Sequence, residues 1–448
     1  MSKVCYIHPS GSSEFPSHWV MPAGIFAILD KIQKSEFEVI ALNYPMEWFL
    51  DRNFNIEKWI FNNQCKYYLV GMHWYVHLRN ALQIIELIKK LLPDSIIIVG
   101  GITASLCYKS IFTECKNIDY LIKGDGEEAI LQLISFLENG KDVSNIPNIC
   151  FLKENKLYWN ENQYQMMCFD GLSYSNIQYL LHYKVYPFFS YPRMMKKERS
   201  FWLVNGRGCL CNCIGCDGAK NGKYSKENHI AKNFVVRNIE DVCRDIEQLT
   251  ELKLNYIKLT HDICFFGESY CALFFSKLKN EDIKIYNECW QLPNDKFYEI
   301  IEYHHFNNRI VLAITIHSGD EHLRARYGKC YTNEELIKNI EMCLKLNIRI
   351  QLFFSRFLDG ETPYTLSQTF SLINEIIIKD KKNLIKIIYE PFIADPFSKM
   401  QTYKEDINLT TLIEYSEKII IDGYDTEQLE MNILDKKIIR ELAEKNYD

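Results

Sequence analysis

Four cysteines lie within eight residues in the stretch Gly206-Arg207-Gly208-Cys209-Leu210-Cys211-Asn212-Cys213-Ile214-Gly215-Cys216-Asp217-Gly218. The stretch directly follows a short apolar run that is typical of a β-strand, so we expect a loop at the end of that strand. The spacing Cys209-x3-Cys213-x2-Cys216 places three thiols on this loop, and Cys211 is an additional cysteine between them. Clustered thiolates of this kind are ligands for zinc or for iron–sulfur clusters.

The number and spacing of the thiols favour an iron–sulfur cluster. A four-iron, four-sulfur cluster normally takes four cysteine ligands, so three would leave one iron open, as catalytic metal sites keep a free position. That iron could bind a small bidentate ligand such as an amino acid. Zinc is the alternative, but no second cysteine pair follows within about 20 residues, because the next cysteine after Cys216 is Cys243. A disulfide staple is a further alternative.

This cysteine stretch resembles the cluster loop of the radical S-adenosylmethionine (SAM) enzymes, which have C-x3-C-x2-C at the end of the first strand of a β/α barrel. The lead-in Arg207-Gly208-Cys209 is similar to the branch with an N-terminal cobalamin-binding domain. The resemblance implies that Cys209, Cys213 and Cys216 hold a [4Fe-4S] cluster whose open iron binds SAM. That branch often has an aromatic residue before the third cysteine, where this chain has Gly215.

The composition is that of an ordinary globular protein. The 448 residues are 47% hydrophobic and 25% charged, and the length suggests about three domains. A net charge of −6 argues against a nucleic-acid binder. Sixteen cysteines in so long a chain are not a secreted disulfide framework. No apolar signal segment follows Met1 and no 18-residue run is free of charge and polarity, so we predict a cytoplasmic protein without a membrane span.

The first 150 residues alternate between short apolar strands and helix-like segments. This alternation predicts a doubly wound, Rossmann-like α/β domain with a parallel sheet. Ligands of such sheets bind outside the carboxyl ends of the strands. The loops expected at those ends are residues 9–13, 73–77, 100–103 and 124–126.

Two of these loops resemble the cobalamin domain of the same radical SAM branch. Val99-Gly100-Gly101 is similar to its Gly-Gly turn, and residues 123–128, Lys-Gly-Asp-Gly-Glu-Glu, are similar to its G-[DE]-G-E-E loop. The chain has no Asp-x-His-x-x-Gly motif, so we expect no axial histidine from such a loop, and His73 and His77 are candidates for contact or a polar rim. A flavodoxin-like domain without cofactor is the alternative. The resemblance implies these cobalamin-binding residues: His73, Trp74, Gly100, Gly101, Gly124 and Gly126.

The strand–helix alternation resumes at residue 201 and gives six units up to residue 395. Six units fit the partial (β/α)6, TIM-like barrel of radical SAM enzymes, in which active-site residues lie at the carboxyl ends of strands. Gln291, Ser318 and Arg356 are polar residues at these ends, suited to the ribose and carboxylate of SAM or to a structural hydrogen bond. The predicted parts are residues 1–150, the cobalamin-binding domain; 151–199, a linker; 200–400, the radical SAM core; and 401–448, a C-terminal helical cap.

Three further motifs depart from the pattern of the family. His317 stands where the family's E-S-G motif has its glutamate, and Asp359 replaces the proline of its G-x-P-G-E-T loop. Of the G-G-E-P loop that holds the SAM amino group, only Gly267-Glu268 is present. Asp262 instead resembles the acidic position of the cobalamin branch.

The resemblance implies a radical SAM enzyme that reductively cleaves SAM and uses cobalamin to transfer a methyl group to an unactivated carbon. It also implies an electron donor such as flavodoxin or ferredoxin. Radical SAM cyclisation or rearrangement without methylation is the alternative reaction. A non-catalytic zinc- or cluster-binding regulatory protein is the alternative of another class. Nothing in the sequence marks a peptide, lipid, sugar or tetrapyrrole as the substrate.

Overall fold

The computed structural model describes residues 2–11, 20–160, 164–186, 199–219, 224, 234–400 and 409–423. These residues form two compact units. The first contains the described residues up to 186 together with 409–422, and the second contains residues 199–219 and 234–400. Each unit is built on a largely parallel sheet flanked by helices, which confirms the predicted α/β class.

The first unit is a seven-stranded sheet in the order β2-β1-β3-β4-β5-β6-β7. The first five strands are parallel, and β6 and β7 form an antiparallel hairpin at the edge. Its strands are β1 (Lys3–His8), β2 (Glu38–Asn43), β3 (Tyr67–Gly71), β4 (Ile96–Gly100), β5 (Tyr120–Ile122), β6 (Ile149–Lys153) and β7 (Lys156–Trp159). Its helices up to residue 138 are α1 (Gly24–Lys34), α2 (Tyr44–Leu50), α3 (Ile56–Asn62), α4 (Leu78–Leu91), α5 (Ile102–Leu106), α6 (Tyr108–Glu114) and α7 (Ala129–Glu138).

The strand order of the first unit indicates the place on its sheet where a ligand is expected to bind. The chain places β2 on one side of β1 and β3 on the other, which is the topological switch point where doubly wound sheets bind ligands. Helix α4 follows β3 and buries Leu78, Ala81, Ile85 and Ile88, a helical spacing that packs one face on the sheet. The loop between β3 and α4 is thereby fixed at this switch point.

The second unit is a six-stranded parallel sheet in the order β8-β11-β12-β13-β14-β15, with a small β9-β10 pair beside it. Neighbouring strands follow one another along the chain, which is the arrangement of the predicted partial (β/α)6 core. Its strands are β8 (Ser200–Leu203), β9 (Gly206–Arg207), β10 (Val235–Val236), β11 (Tyr256–Leu259), β12 (Lys284–Cys289), β13 (Ile310–His317), β14 (Arg349–Arg356) and β15 (Ile385–Pro391). Its helices are α8 (Ile239–Glu251), α9 (Glu268–Lys277), α10 (Asp295–Tyr303), α11 (Glu321–Arg326), α12 (Asn333–Lys345) and α13 (Pro363–Lys379).

The two faces of the second sheet carry different residues. One face is mostly apolar and buried under the helices; Ile257, Ile285 and Leu312 are fully buried there. The other face, which we call the lumen face, carries one cluster of side chains from neighbouring strands, namely Trp202, Tyr256, Tyr286, Val311, Ala313 and Phe353. The strands therefore alternate between a packed outer face and a lumen face that a ligand can reach.

Helix α14 (Leu409–Gly423) belongs to the first unit. The Leu409 backbone N–H donates to Glu114 Oε1 at 3.0 Å, and Glu417 pairs with Arg79 at 2.6 Å. Residues 401–448 were expected to cap the barrel, whereas these contacts of α14 are with α6 and α4; residues 401–408 and 424–448 lie outside the described residues. Of the predicted linker, residues 151–159 are part of the β6–β7 hairpin, and 187–198 lie outside the described residues. No helix within the described ranges is long and apolar enough to cross a membrane.

Candidate functional site

The cysteine loop lies at the carboxyl end of β8, the first strand of the second sheet. It begins after β9 at Gly208, whose φ is +88°, a left-handed backbone conformation that glycine adopts without strain. The Cys211 backbone N–H donates to Cys209 Sγ at 3.4 Å. The thiols at positions 209, 211, 213 and 216 all keep some exposure to solvent. The loop therefore presents accessible sulfur ligands where β/α barrels place their active sites.

Burial and the contact between Cys209 and Cys211 shift the pKa values of these thiols. The hydrogen bond with Cys211, with burial, raises the pKa of Cys209, and burial raises the pKa of Cys213 and brings that of Cys216 to about 12. The pKa of Cys211 falls to about 7 through its hydrogen bond with Cys209, and the Lys329 charge also favours its thiolate. The three predicted ligands are therefore protonated at neutral pH, and a metal must displace their protons.

The chain segment after β15 holds one side of the loop. The Asp395 backbone N–H donates to the Gly215 carbonyl at 2.9 Å, and that of Met400 donates to the Ile214 carbonyl at 3.1 Å. Asp395 Oδ2 also accepts from the Asp217 backbone N–H at 3.0 Å. These bonds fix the backbone on both sides of the third cysteine.

Two buried polar side chains hold the start of the loop. His261 Nε2–H donates to the Gly208 carbonyl at 3.0 Å, and burial lowers the pKa of His261 to about 4, so the ring is neutral. Asn205 Oδ1 accepts from the His261 backbone N–H at 2.9 Å, and its Nδ2 donates to the His261 carbonyl at 2.9 Å. His261 and Asn205 are thus positioning residues for the first cysteine.

A buried ion pair stabilises the carboxyl end of β8. Arg237 Nη2 lies 2.6 Å from Asp245 Oδ2, and both side chains are fully buried. Arg237 Nη1 donates to the Val204 carbonyl at 3.0 Å, and its backbone N–H donates to the Asn205 carbonyl at 3.0 Å. The pair therefore ties α8 to the residues that connect β8 to the cysteine loop.

The structure explains why Gly215 replaces the aromatic residue of the family pattern. A Cβ at position 215 would lie 2.4 Å from Phe392 Cζ. The Phe392 ring packs edge-on against Tyr327, with centroids 4.8 Å apart, and against His317, at 5.4 Å. An aromatic ring from the end of β15 thus takes the space beside the third cysteine.

We expect Gly215→Ala to lower the iron content of the reconstituted protein, because the new methyl group collides with Phe392 and displaces the loop. Overpacking of this kind costs about 1–3 kcal/mol. The matched test is the double variant Gly215→Phe/Phe392→Ala, in which the ring returns to position 215. Iron content and melting temperature should fall in Gly215→Ala and recover in the double variant. Equal iron content in Gly215→Ala and the wild type would show that Phe392 does not shape the loop.

The three residues predicted to hold SAM lie at or just after the carboxyl ends of β12, β13 and β14. Gln291 Nε2 donates to the Gly328 carbonyl at 2.9 Å. Ser318 is buried, accepts from the Asp320 backbone N–H at 3.1 Å and lies 3.2 Å from Thr369 Oγ1. Within the described residues, the buried Nε of Arg356 has no hydrogen-bond partner. Arg356 therefore has a donor to offer a ligand, while Gln291 and Ser318 also make structural hydrogen bonds.

Neither His317 nor Asp262 presents an exposed carboxylate to SAM. His317 Nδ1 lies 2.9 Å from Ser355 Oγ, and burial lowers the pKa of His317 to about 3, so it is a neutral ring. Asp262 is fully buried and accepts from Asn287 Nδ2 at 2.9 Å and from the Trp290 backbone N–H at 2.8 Å. Burial raises its pKa. Asp262 thus joins the ends of β11 and β12.

In the first unit, the predicted cobalamin loops after β3, β4 and β5 meet at one edge of the sheet. The Thr103 backbone N–H and Oγ1 donate to the His73 carbonyl, both at 3.2 Å. Ser105 Oγ donates to the Gly101 carbonyl at 2.8 Å and accepts from the Gly124 backbone N–H at 2.9 Å. The structure therefore brings the loops of His73, Gly101 and Gly124 together.

The close contact between two loops of the chain requires a glycine at position 101. Its φ is +114°, and a Cβ there would lie 2.5 Å from His73 Cα. By contrast, a Cβ at Gly100 would meet only the Ile122 carbonyl at an ordinary 3.6 Å, and Gly126 lies against Ile130. The close approach that Gly101 permits is thus between two loops of the chain.

Two aromatic side chains line this edge. Trp74 is exposed and packs edge-on against His73, with centroids 4.7 Å apart. Burial lowers the pKa of His73 to about 4, so its imidazole is neutral. An exposed indole beside a neutral imidazole and small residues, Thr103 and Ser105, fits a large planar ring such as a corrin.

We expect Gly101→Ala to destabilise the first unit and abolish corrinoid binding. The left-handed conformation alone costs roughly 1–3 kcal/mol for a residue with a Cβ, and the collision with His73 adds to it. Gly24→Ala is the matched control, because a Cβ at Gly24 meets nothing within 4 Å. Thermal unfolding and the corrinoid absorbance of the purified variants measure the effect. A Gly101→Ala protein that keeps the stability and corrinoid of Gly24→Ala would contradict this account.

Sequence analysis missed the polar residues of the lumen face. Lys258 Nζ lies 5.3 Å from the centroid of the Trp202 ring and 5.2 Å from that of Tyr286. Glu288 and Gln351 lie on the same face, in register with Ala313 between them. The available signal was a charged or amide residue inside each of three partly apolar strands, namely Lys258, Glu288 and Gln351. Among the described residues, no three His, Cys, Asp or Glu side chains are placed to hold a single metal ion.

Residues 18–134 match the family model of the B12 binding domain. The second unit has the β/α core and the three-cysteine loop of the radical SAM fold. The chain thus combines a segment that matches a B12 binding domain with a second unit whose fold is that of radical SAM cores, which is the combination of parts predicted from the motifs.

Comparisons with solved structures and known sequences agree with this class. The fold is similar to that of the radical SAM methyltransferase TsrM from Kitasatospora setae, with a TM-score of 0.66 and 16% identity over 90% of this chain and 77% of that chain. It is also similar to the cobalamin-dependent radical SAM enzyme OxsB, with a TM-score of 0.63 and 14% identity over 96% of this chain and 56% of that chain.

Two sequence relatives extend the comparison. The chain is 30% identical over 70 residues to the anaerobic magnesium-protoporphyrin IX monomethyl ester cyclase of Synechocystis sp.. That match covers 16% of this chain and only 14% of the length of the cyclase. An uncharacterized protein of Methanocaldococcus jannaschii is 25% identical over 368 residues, 72% of this chain and 68% of that protein.

Proposed function

We propose that this protein is a radical SAM enzyme that reductively cleaves SAM at a [4Fe-4S] cluster and transfers a methyl group through cobalamin to an unactivated carbon. The observation that carries the proposal is the loop of Cys209, Cys213 and Cys216 at the carboxyl end of the first barrel strand, in a chain whose residues 18–134 match a B12 binding domain. The TsrM structure, named as a radical SAM methyltransferase with cobalamin and a [4Fe-4S] cluster bound, supports it.

In this proposal the second unit holds the cluster and SAM. The thiolates of Cys209, Cys213 and Cys216 bind three irons and leave the fourth for SAM. Arg356 donates its Nε–H to the carboxylate or ribose of SAM, and Gln291 and Ser318 line the same strand ends. Cofactors of this kind supply the electron transfer, radical and methyl chemistry, while the protein binds and orients them.

The first unit holds cobalamin at the carboxyl edge of its sheet. The loops of Gly100, Gly101, Gly124 and Gly126 would line the cobalamin site, and His73 and Trp74 would contact the corrin ring. A donor such as flavodoxin or ferredoxin delivers the electron. The proposal places the protein in the reducing cytoplasm, because each of the sixteen cysteines, all within the described residues, is a free thiol.

The nature of the reaction is tested with isotopically labelled SAM. The reconstituted protein is incubated anaerobically with cobalamin, titanium(III) citrate and SAM that carries a trideuterated methyl group. We expect trideuterated methylcobalamin and S-adenosylhomocysteine, detected by mass spectrometry. Formation of 5′-deoxyadenosine and methionine without methylcobalamin would instead support cyclisation or rearrangement, a reaction class favoured by the short match to a cyclase.

A further inference from the structure

The lumen face of the second unit carries a row of side chains that differs from the packed core around it. Glu288 of β12 is in register with Ala313 of β13, and Ala313 is in register with Gln351 of β14. Register partners in a parallel sheet point to the same face, so the small Ala313 side chain separates a carboxylate from an amide. This leaves space between an acceptor and a donor.

Glu288 faces open space inside the barrel. Its residue is exposed to solvent, and within the described residues its one direct hydrogen bond is from Tyr286 Oη, at a long 3.4 Å. Surrounding protein nevertheless raises the pKa of this carboxyl through desolvation. Lys258 and Lys329 oppose that shift, and the Glu390 carboxylate adds to it. A carboxylate that faces the lumen and has no Lys, Arg or His within ion-pair distance among the described residues favours a cationic ligand.

Gln351 supplies the second, independent observation. Its residue is only 2% exposed, and its amide Nε2 has no hydrogen-bond partner among the residues that the structure describes. Its neighbours Ile350 and Leu352 are buried on the opposite face, while Phe353 on its own face joins the lumen cluster. A buried amide N–H without a partner is destabilising unless a ligand accepts from it.

Aromatic rings lie next to Glu288 on the lumen face. The Tyr286 ring lies two residues before Glu288 on the same strand face and packs edge-on against Trp202, with centroids 5.9 Å apart. The Lys258 ammonium lies 5.2 Å from the Tyr286 centroid, within the range of a cation–π contact. The part of the lumen face next to these polar groups is therefore aromatic.

We propose that Glu288, Gln351 and the Tyr286 ring form a substrate subsite that binds a protonated amine beside a carbonyl or hydroxyl oxygen. The amine donates to the Glu288 carboxylate, the oxygen accepts from Gln351 Nε2–H, and the adjoining apolar part of the substrate packs on the ring. This assignment rests on the proposed function, because it takes the ligand of the lumen to be the substrate.

The test uses two probes that differ only in an amino group, phenylalaninamide and 3-phenylpropanamide. Their affinities for the iron-loaded full-length protein are measured by ligand-observed NMR. We expect phenylalaninamide to bind about 10-fold or more tightly than 3-phenylpropanamide, as a hydrogen bond to a charged group predicts. Glu288→Gln should remove this preference, and Gln351→Leu should weaken both probes.

The control is Glu302→Gln, because Glu302 lies on the exposed surface of α10; it should keep the preference of the wild type. Equal affinities of the two probes, no binding of phenylalaninamide to the wild type, or an unchanged preference in Glu288→Gln would overturn the subsite. Melting temperatures of the variants verify that they are folded. Failure of the proposed function has a different signature, since the wild type would then hold no iron before any probe is added.

Discussion

We expect Cys213→Ala to purify with less than one iron per chain and without any SAM cleavage. Three protein thiolates are the full ligand set of the proposed cluster, so removal of one leaves a second iron open and the cluster is lost. Cys209→Ala and Cys216→Ala should give the same result. Iron and sulfide analysis after anaerobic reconstitution measures the loss directly.

The matched controls are two other cysteines. Cys168→Ala removes an exposed thiol of the first unit and should leave the iron content at about four per chain. Cys211→Ala removes the additional thiol of the loop, which hydrogen-bonds with the Cys209 side chain, and should also retain the cluster. Loss of iron in Cys211→Ala with retention in Cys213→Ala would contradict the proposed ligand set.

We expect Arg237→Met to destabilise the second unit by about 3–5 kcal/mol, because it removes the cation that is paired with the buried Asp245 carboxylate. Asp245→Leu should cost a similar amount, because it removes the anion of the same pair. The double variant Arg237→Met/Asp245→Leu replaces a fully buried pair by apolar side chains, which is often neutral, and should recover most of the loss. Chemical denaturation gives the free energies of unfolding.

An exposed ion pair provides the comparison for Arg237. Lys296 and Glu299 lie 2.7 Å apart with side chains 53% and 63% exposed, and such pairs contribute about 0–1 kcal/mol. Arg237→Met should also lower iron loading, since Arg237 holds the Val204 carbonyl just before the loop. A denaturation midpoint of Arg237→Met equal to that of Lys296→Met would show that the buried pair is unimportant.

The features that could be predicted from the sequence are local ones. The strand–helix alternation, which the structure confirms, depends on periodicities within each segment, and the prediction of three cysteine ligands depends on eight consecutive residues. Both were recoverable without knowing which segments touch. The register of the parallel strands then brought Gln291, Ser318 and Arg356 to the strand ends on which the cysteine loop lies.

The features that the sequence did not predict depend on distant contacts. Gly215 differs from the family pattern because Phe392, from the far end of the chain, fills its space. Gly101 was assigned to a cofactor, but the backbone of His73 already requires it. Glu288 lies on the lumen face because the helices cover the opposite face of β12. The residue pattern of β12 alone does not specify which of its faces the helices cover.

We propose that this one chain holds both a [4Fe-4S] cluster and a corrinoid. The most direct test of this proposal is metal, sulfide and corrinoid analysis of the anaerobically purified protein, followed by incubation with SAM and a reductant. We predict about four irons and four sulfides, one corrinoid per chain, and cleavage of SAM. One zinc per chain in place of iron, lost in Cys213→Ala, with no SAM cleavage, would contradict the account and leave a non-catalytic metal-binding protein.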